Sequence, residues 1–465
     1  MFPNERMLTG RQLLGMRGNR FFFSLPIVFL IFSLACLFTV SETYVIGVAV
    51  FVAIICLELF LCSDLTVISL PFLLMIVFAL NCYDSFDTFI HFIWVAPVAV
   101  AALLYNLIVY REKLVIGRTF FGWCAVSVAL LLGGLGTVSM QDYLSPMSIY
   151  YTLGLGVGML LFYLLARSRF SMQSVYTLFG RIAIVMYLVG LLAILNIACY
   201  YMRQLDAGVA LSAAVRSFQP SNNLSTFLMF AMPFPIWYAL KQNPFHITLA
   251  FAFYLGVLST GSRAGLVLGT VEFLICLAFW ARYGGRLVRF LCFSIVSVGA
   301  FLGVLLITEI DTLIPGFNFV SMGEMRYQAI QISIDSFFSH PVFGIGMKHH
   351  ALDAIYNPRK GALCWFHMYI PQIIASMGSV GIVAYVTQFL LRMSLIVRRH
   401  TTPLRLTLGI SYIGIFLMSQ INPGEFCPIP YGMMTAVIFA LLEQLGETER
   451  LAYRLAPEWA DQLDT

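Results

Sequence analysis

Charge is scarce in this sequence. Of its 465 residues, 11% are Asp, Glu, Lys or Arg, against about 25% in an ordinary soluble domain. That shortage leaves no stretch able to form a soluble domain of any size, and a receptor or scaffold built on a recognisable soluble module is excluded with it. No small-residue cleavage site follows the basic start MFPNERMLTGRQLLGMRGNR, so the apolar run behind it is expected to stay as a first span rather than leave as a signal peptide. No internal repeat of the kind that builds inverted-repeat transporters is visible. The ten cysteines (36, 56, 62, 82, 124, 199, 276, 292, 364 and 427) lack paired metal-ligand spacing and lie mostly in apolar runs, where Cys acts as a small core hydrophobe. Cys364 and Cys427 fall in loops on the same side, and nothing in the sequence supports a bridge between them. No metal and no cofactor is expected.

What the sequence does have is oil. Hydrophobic residues make up 60% of the chain, in runs of about 20 residues, the length that lets a helix satisfy its backbone inside a bilayer. Spans are expected near 21–40, 44–62, 65–82, 88–109, 119–139, 149–166, 182–201, 223–240, 245–260, 264–280, 290–308, 366–391, 406–421 and 431–445. The expected architecture is all-α: one polytopic bundle over 1–465 with about 12–14 spans, several of them short, and a helical extracytoplasmic loop at 309–366. With the amino end in the cytoplasm, only Arg203, Arg216, Arg263, Arg326, Lys348, Arg359 and Lys360 of the 27 Lys and Arg fall outside. That asymmetry favours both termini inside. The net charge of +5 therefore speaks of topology, not of nucleic acid.

One of those outer arginines interrupts an oily run, in VLSTGSRAGLVLG. A charge at mid-bilayer costs about 2.5–3.5 kcal/mol on insertion scales. The run is therefore expected to be two spans joined by a tight turn at TGSR, with Gly261 suited to the turn and Arg263 at the outer surface. Arg263 there either snorkels to lipid headgroups or serves a site.

Two outer segments are long. The first, MRQLDAGVALSAAVRSFQPSNN, brings Arg216 and then Pro220, Asn222 and Asn223 to the start of a span. The second opens at Arg326 with Tyr327, Ile330, Ile334 and Phe337 at helical spacing, the pattern of an amphipathic helix lying on a membrane surface. HPVFGIG ends it with Pro341, Gly344 and Gly346, and His367 stands at the head of the next span. His340, His349, His350 and His367 cluster in this segment with Cys364, but their spacing matches no strong zinc pattern. Three arginines from separate outer segments and one histidine suit an anion, because guanidinium binds phosphate oxygens bidentately. Pyrophosphate held at a membrane surface is the natural candidate; lipid headgroup binding without chemistry is the bland alternative.

At this point four stretches resemble the O-antigen ligase and O-antigen polymerase family of bacterial membrane glycosyltransferases. They are RSFQPSNNLSTFLMFAMPF, STGSRAGLVLG, MRYQAIQISIDSFFSHPVFGIG and HMYIPQIIASMG, spanning 216–381 in the family's order. The family commonly has Asn directly after this His, where Met368 stands here, so a hydrogen bond from that amide is expected to be missing. The resemblance implies a metal-independent transfer of an oligosaccharide from undecaprenyl pyrophosphate to a sugar hydroxyl at the outer face of the bacterial cytoplasmic membrane. The acceptor would be another lipid-linked repeat unit for a polymerase, or lipid A core for a ligase. Arg263 and Arg326 would neutralise the departing pyrophosphate. His367 would act as general base or orient the acceptor, with Glu324, Asp335 and Asp353 as other outer carboxylates. Arg216, Asn223, Ser262, Gly346 and Gly378 would contact substrate. The rival function is transport, as a flippase or exporter of lipid-linked saccharides or a small-molecule carrier; its mid-span ionisable groups would be Glu58, Glu272 and His91, fewer than transporters usually carry.

Overall fold

The computed structural model describes residues 10–80, 95–110, 113–137, 145–170, 174–218, 220–313, 319–347, 352, 366–398, 402–422 and 429–455. Among these, every regular element is helical. The helices are α1 (Gly10–Phe22), α2 (Leu25–Ser41), α3 (Tyr44–Leu61), α4 (Ser69–Ala79), α5 (Val95–Val109), α6 (Phe120–Leu132), α7 (Pro146–Leu153), α8 (Met159–Arg169), α9 (Val175–Asp206), α10 (Leu211–Ser217), α11 (Ser221–Ala231), α12 (Pro233–Lys241), α13 (Ile247–Ser259), α14 (Arg263–Tyr283), α15 (Arg286–Leu313), α16 (Phe319–Ser339), α17 (Tyr369–Ile396), α18 (Pro403–Ser419) and α19 (Ile429–Leu455).

Five segments are long and apolar enough to cross a membrane: Tyr44–Leu61, Ser148–Arg169, Val175–Asp206, Arg263–Tyr283 and Tyr369–Ile396. A sixth crossing results if Leu14–Phe22 and Leu25–Ser41, bent by 57° at their junction, act as one span. Other expected runs are divided. The run at 223–240 becomes α11 and α12 because Pro233 and Pro235 each remove a backbone donor and clash with the preceding turn. The oily run that contains Arg263 breaks between Ser259 and Arg263 as expected, with Gly261 at φ +69°. Between α7 and α8 the three glycines of GLGVG carry a π-helical turn, and the Ser127 hydroxyl donates to the Gly156 carbonyl at 2.9 Å.

The chain divides into two compact units. The first comprises Met1–Val115, Ser168–Ala239 and Asn243–Ser262. Its polar side chains close helix ends. Asn106 donates to the carbonyls of Leu59 and Cys62, each at 2.7 Å, and accepts from Arg169 at 2.6 Å. Asn19 accepts from the backbone of Ser63 and Asp64, while Arg181 pairs with buried Asp64 at 3.0 Å and lies over the Phe23 ring. Carbonyls that α3 cannot satisfy internally are thus met by side chains rather than by water.

The second unit comprises Ile116–Arg167, Leu240–Gln242 and Arg263–Thr465. Its centre is polar but matched. Glu443 of α19 accepts from the Thr119 amide at 2.6 Å, the Thr119 hydroxyl at 2.9 Å and the Tyr163 hydroxyl at 2.8 Å, and it pairs with Arg167 at 3.3 Å. Arg167 also reaches Glu447. Gly117 makes the approach feasible, since a Cβ there would overlap the Glu443 carboxylate. Nearby, buried Arg392 of α17 lies among the rings of Trp123, Tyr412 and Phe439, 4.9, 5.6 and 5.1 Å from their centroids, tying α17 to α6, α18 and α19 by cation–π contact. Replacing Glu443 by Ala strips the carboxylate from buried Arg167, Thr119 and Tyr163 together. A loss of about 3–5 kcal/mol is expected, measured as a lower thermal midpoint in detergent; an unchanged midpoint would mean that this network does not support the fold.

Candidate functional site

The head of α17 brings together several of the candidate residues. His367 sits two residues before the first residue of the helix with φ +51°, a left-handed conformation that non-glycine residues rarely adopt and that costs about 1–2 kcal/mol. Two side-chain bonds hold this turn. The Phe366 amide donates to Gln372 Oε1 at 3.0 Å, and Gln372 Nε2 donates to the Ser376 hydroxyl at 2.7 Å. Beneath it Phe366, Met368 and Ala375 pack with Ala329 of α16 and Leu352.

Around the half-buried His367 ring stand Arg326 of α16 and Asn422, just beyond α18. Burial is the main cause that pushes the imidazole below its ordinary range, and the Arg326 charge adds to it; the hydrogen bond with the Asn422 side chain acts the other way. The net effect keeps His367 neutral at neutral pH, able to accept a proton. Arg326 itself donates to the Ile421 carbonyl at 3.4 Å. Met368 occupies the position after His367, and a different amide, that of Asn422 from a distant part of the chain, bonds to the imidazole. Sequence reasoning passed over Asn422; its signal was a polar residue directly after an apolar helix, which many loops share.

The expected amphipathic helix is present as α16, and the larger residues of its apolar stripe face away from the protein. Tyr327, Ile330 and Ile334 are exposed, while Ala329, Ser333 and Ser336 are buried. Small residues let α16 approach its neighbours, and the large ones are left for an apolar medium, as in a helix lying at a lipid surface. Asp335 is exposed on the same helix.

HPVFGIG then docks into a break in α17. Gly378 lies inside that helix with non-helical φ +59° and ψ −148°. The carbonyls freed by the break are capped by the 341–346 segment, with Ile345 N–H donating to Ala375 at 2.8 Å and Gly346 N–H to Ser376 at 3.0 Å. The freed amides of Ser379 and Val380 donate back to Pro341 and Val342 at 2.8 and 3.2 Å. Gly134 N–H reaches Phe343 at 2.7 Å from the end of α6. Gly346 and Gly378, expected to meet substrate, are thus positioned by main-chain bonds of one joint.

In the first unit, the TGS turn meets the start of α11. Ser262 donates to Asn222 at 2.6 Å, and the Thr260 and Ser225 hydroxyls are 2.7 Å apart. Gly261 admits Val215 of α10, whose side chain a Cβ would crowd at 2.5 Å. Asn223 is buried one residue on. These two sequence motifs therefore form one contact. Arg263 is the first residue of α14. The Arg216 side chain, the Glu324 side chain, and residues His91, His349, His350, Asp353, Cys364 and Cys427 lie outside the described residues. No family model, curated protein or solved structure matches the chain.

At Gly378 a Cβ would lie 2.7 Å from the Pro341 and Val342 carbonyl oxygens and 2.8 Å from the Gly344 nitrogen. Gly378→Ala is expected to lower stability by about 3 kcal/mol, from left-handed strain plus backbone overlap. The check is the detergent melting temperature, with Gly180→Ala inside α9, where a Cβ meets nothing within 4 Å, as the milder comparison.

Proposed function

We propose that the chain is a membrane glycosyltransferase that moves an oligosaccharide from undecaprenyl pyrophosphate to an acceptor sugar hydroxyl at the outer face of the bacterial cytoplasmic membrane, as a surface-polysaccharide polymerase or an O-antigen ligase. The observation that carries this reading is the pairing of Arg326 with a neutral His367 at one end of a long apolar helix. A cation and a proton acceptor side by side are what the transfer requires. The acceptor oxygen forms a bond to the anomeric carbon as the bond from that carbon to pyrophosphate breaks. The hydroxyl proton passes to His367, and undecaprenyl pyrophosphate leaves with charge that Arg326, joined by Arg263, neutralises as a fixed cation. Membrane lipids surround the site and the donor's tail. In this reading both termini are cytoplasmic, 309–366 is extracytoplasmic, and the shorter helices bring the crossings to about 12–14.

A second reading, a flippase for lipid-linked saccharides, draws on Glu58 and Glu272. Both are buried in otherwise apolar helices, with no hydrogen-bond partner on either carboxylate oxygen. Intramembrane acids of this kind often serve transport.

Purified protein given lipid-linked repeat units separates the outcomes. A polymerase yields longer saccharide chains, a ligase yields sugar-modified lipid A core, and a flippase yields translocation with no new glycosidic bond, which would overturn the proposal. Arg326→Ala and Arg263→Ala should each lower turnover by about 10²–10³ while the protein still reaches the membrane. Full activity in either removes the anion site. Because the Asn422 hydrogen bond favours protonated His367, Asn422→Ala should move the acid limb of the pH–rate profile to lower pH. A limb that stays in place would leave His367 no role as base.

A further inference from the structure

The opposite end of α17 has its own cluster. α17 and α18 are joined by a short connection, so Ile396 and Pro403 lie at one end of the pair, while His367 and Asn422 lie at the other. Four arginines gather at this second end. Buried Arg405 donates to the Leu395 carbonyl and to Glu449 Oε2 of α19, and its Nε has no partner. Arg398 reaches the same carboxylate oxygen at 3.5 Å. Its guanidinium lies against Gly446, where a Cβ would be 2.9 Å from Nη2, one helical turn from Arg450. Arg118 precedes Thr119, whose amide and hydroxyl are bonded to Glu443 on the same helix. Among the described residues, Glu443 and Glu447 serve Arg167, and Glu449 faces Arg398 and Arg405. Arg398 is pulled below the ordinary arginine range, first by burial and then by Arg405, with Arg450 and Arg118 adding to it against Glu449.

We infer that Arg118, Arg398, Arg405 and Arg450 form a binding site for the phosphate headgroup of an anionic phospholipid. Arg398 and Arg405 share the Glu449 carboxylate while the charges of Arg118 and Arg450 bear on Arg398; such crowding is unfavourable unless an anion joins it, and phosphate oxygens match the guanidinium fork. The surroundings select a lipid over a free ion. Ile116, Phe121, Val397 and Leu451 are large, exposed and apolar, and each lies within three residues of one of these arginines. Headgroup charge and acyl chains thus have adjoining partners, the arrangement that draws anionic lipid to basic segments at a membrane surface. Arg118 and Arg450 are exposed, so they are free to close on a headgroup arriving from the bilayer. The site is independent of the chemistry proposed around His367, and its failure leaves that proposal standing.

Full-length protein in a neutral detergent is titrated with phosphatidylglycerol, with phosphatidylcholine of the same chains, or with inorganic phosphate, and binding is followed by native mass spectrometry and by the thermal midpoint. Phosphatidylglycerol should bind and raise the midpoint, while the other two have little effect. Combined Arg118→Gln, Arg398→Gln and Arg450→Gln should weaken phosphatidylglycerol binding about a hundredfold, at roughly one charge contact per arginine. If that variant fails to fold, Arg118→Gln and Arg450→Gln alone should each weaken it several-fold. Equal binding of phosphatidylcholine, equal stabilisation by inorganic phosphate, or undiminished lipid binding in the substituted proteins would each overturn the assignment.

Discussion

A broken helix in an apolar setting has to satisfy the backbone groups it frees, and this constraint organises the second unit. At Gly378, α17 exposes carbonyls and amides that lipid cannot bond. The 341–346 segment meets them in register, carbonyl to amide and amide to carbonyl, and the positive φ of Gly344, Gly346 and Gly378 permits the close approach. The joint fixes where α16 ends and how it lies against α17. Arg326 on one helix and His367 at the head of the other inherit their relative placement from it. A similar logic holds for charge. Arg167, Arg392 and Arg405 are buried and are met by Glu443, by aromatic faces and by Glu449.

Placing the two ends of α17 side by side separates two kinds of polar site. One end presents Arg326, a neutral imidazole and an amide, held by a strained turn. Strain of this sort is retained where surrounding bonds over-determine it, and it clusters at functional positions. The other end presents several cations around Glu449, with apolar side chains beside them. The first arrangement suits a group that exchanges a proton; the second suits a fixed anion. Glu58 and Glu272 belong to neither, being buried without hydrogen-bond partners in the two units' apolar helices.

The sequence by itself determined the helical class, the apolar character of the spans, the break at Gly261 and the amphipathic helix after Arg326. All follow from local causes: composition, periodicity and the backbone freedom of glycine. It also placed Arg326 and His367 on adjoining segments. Only the tertiary structure decided that Asn422 stands beside His367, that Gly378 breaks α17, that the apolar stripe of α16 turns outward, and that Arg398 and Arg405 share Glu449. Each of these depends on residues tens of positions apart. A chain's pattern says which groups must find partners, but which partner is found depends on how the helices pack.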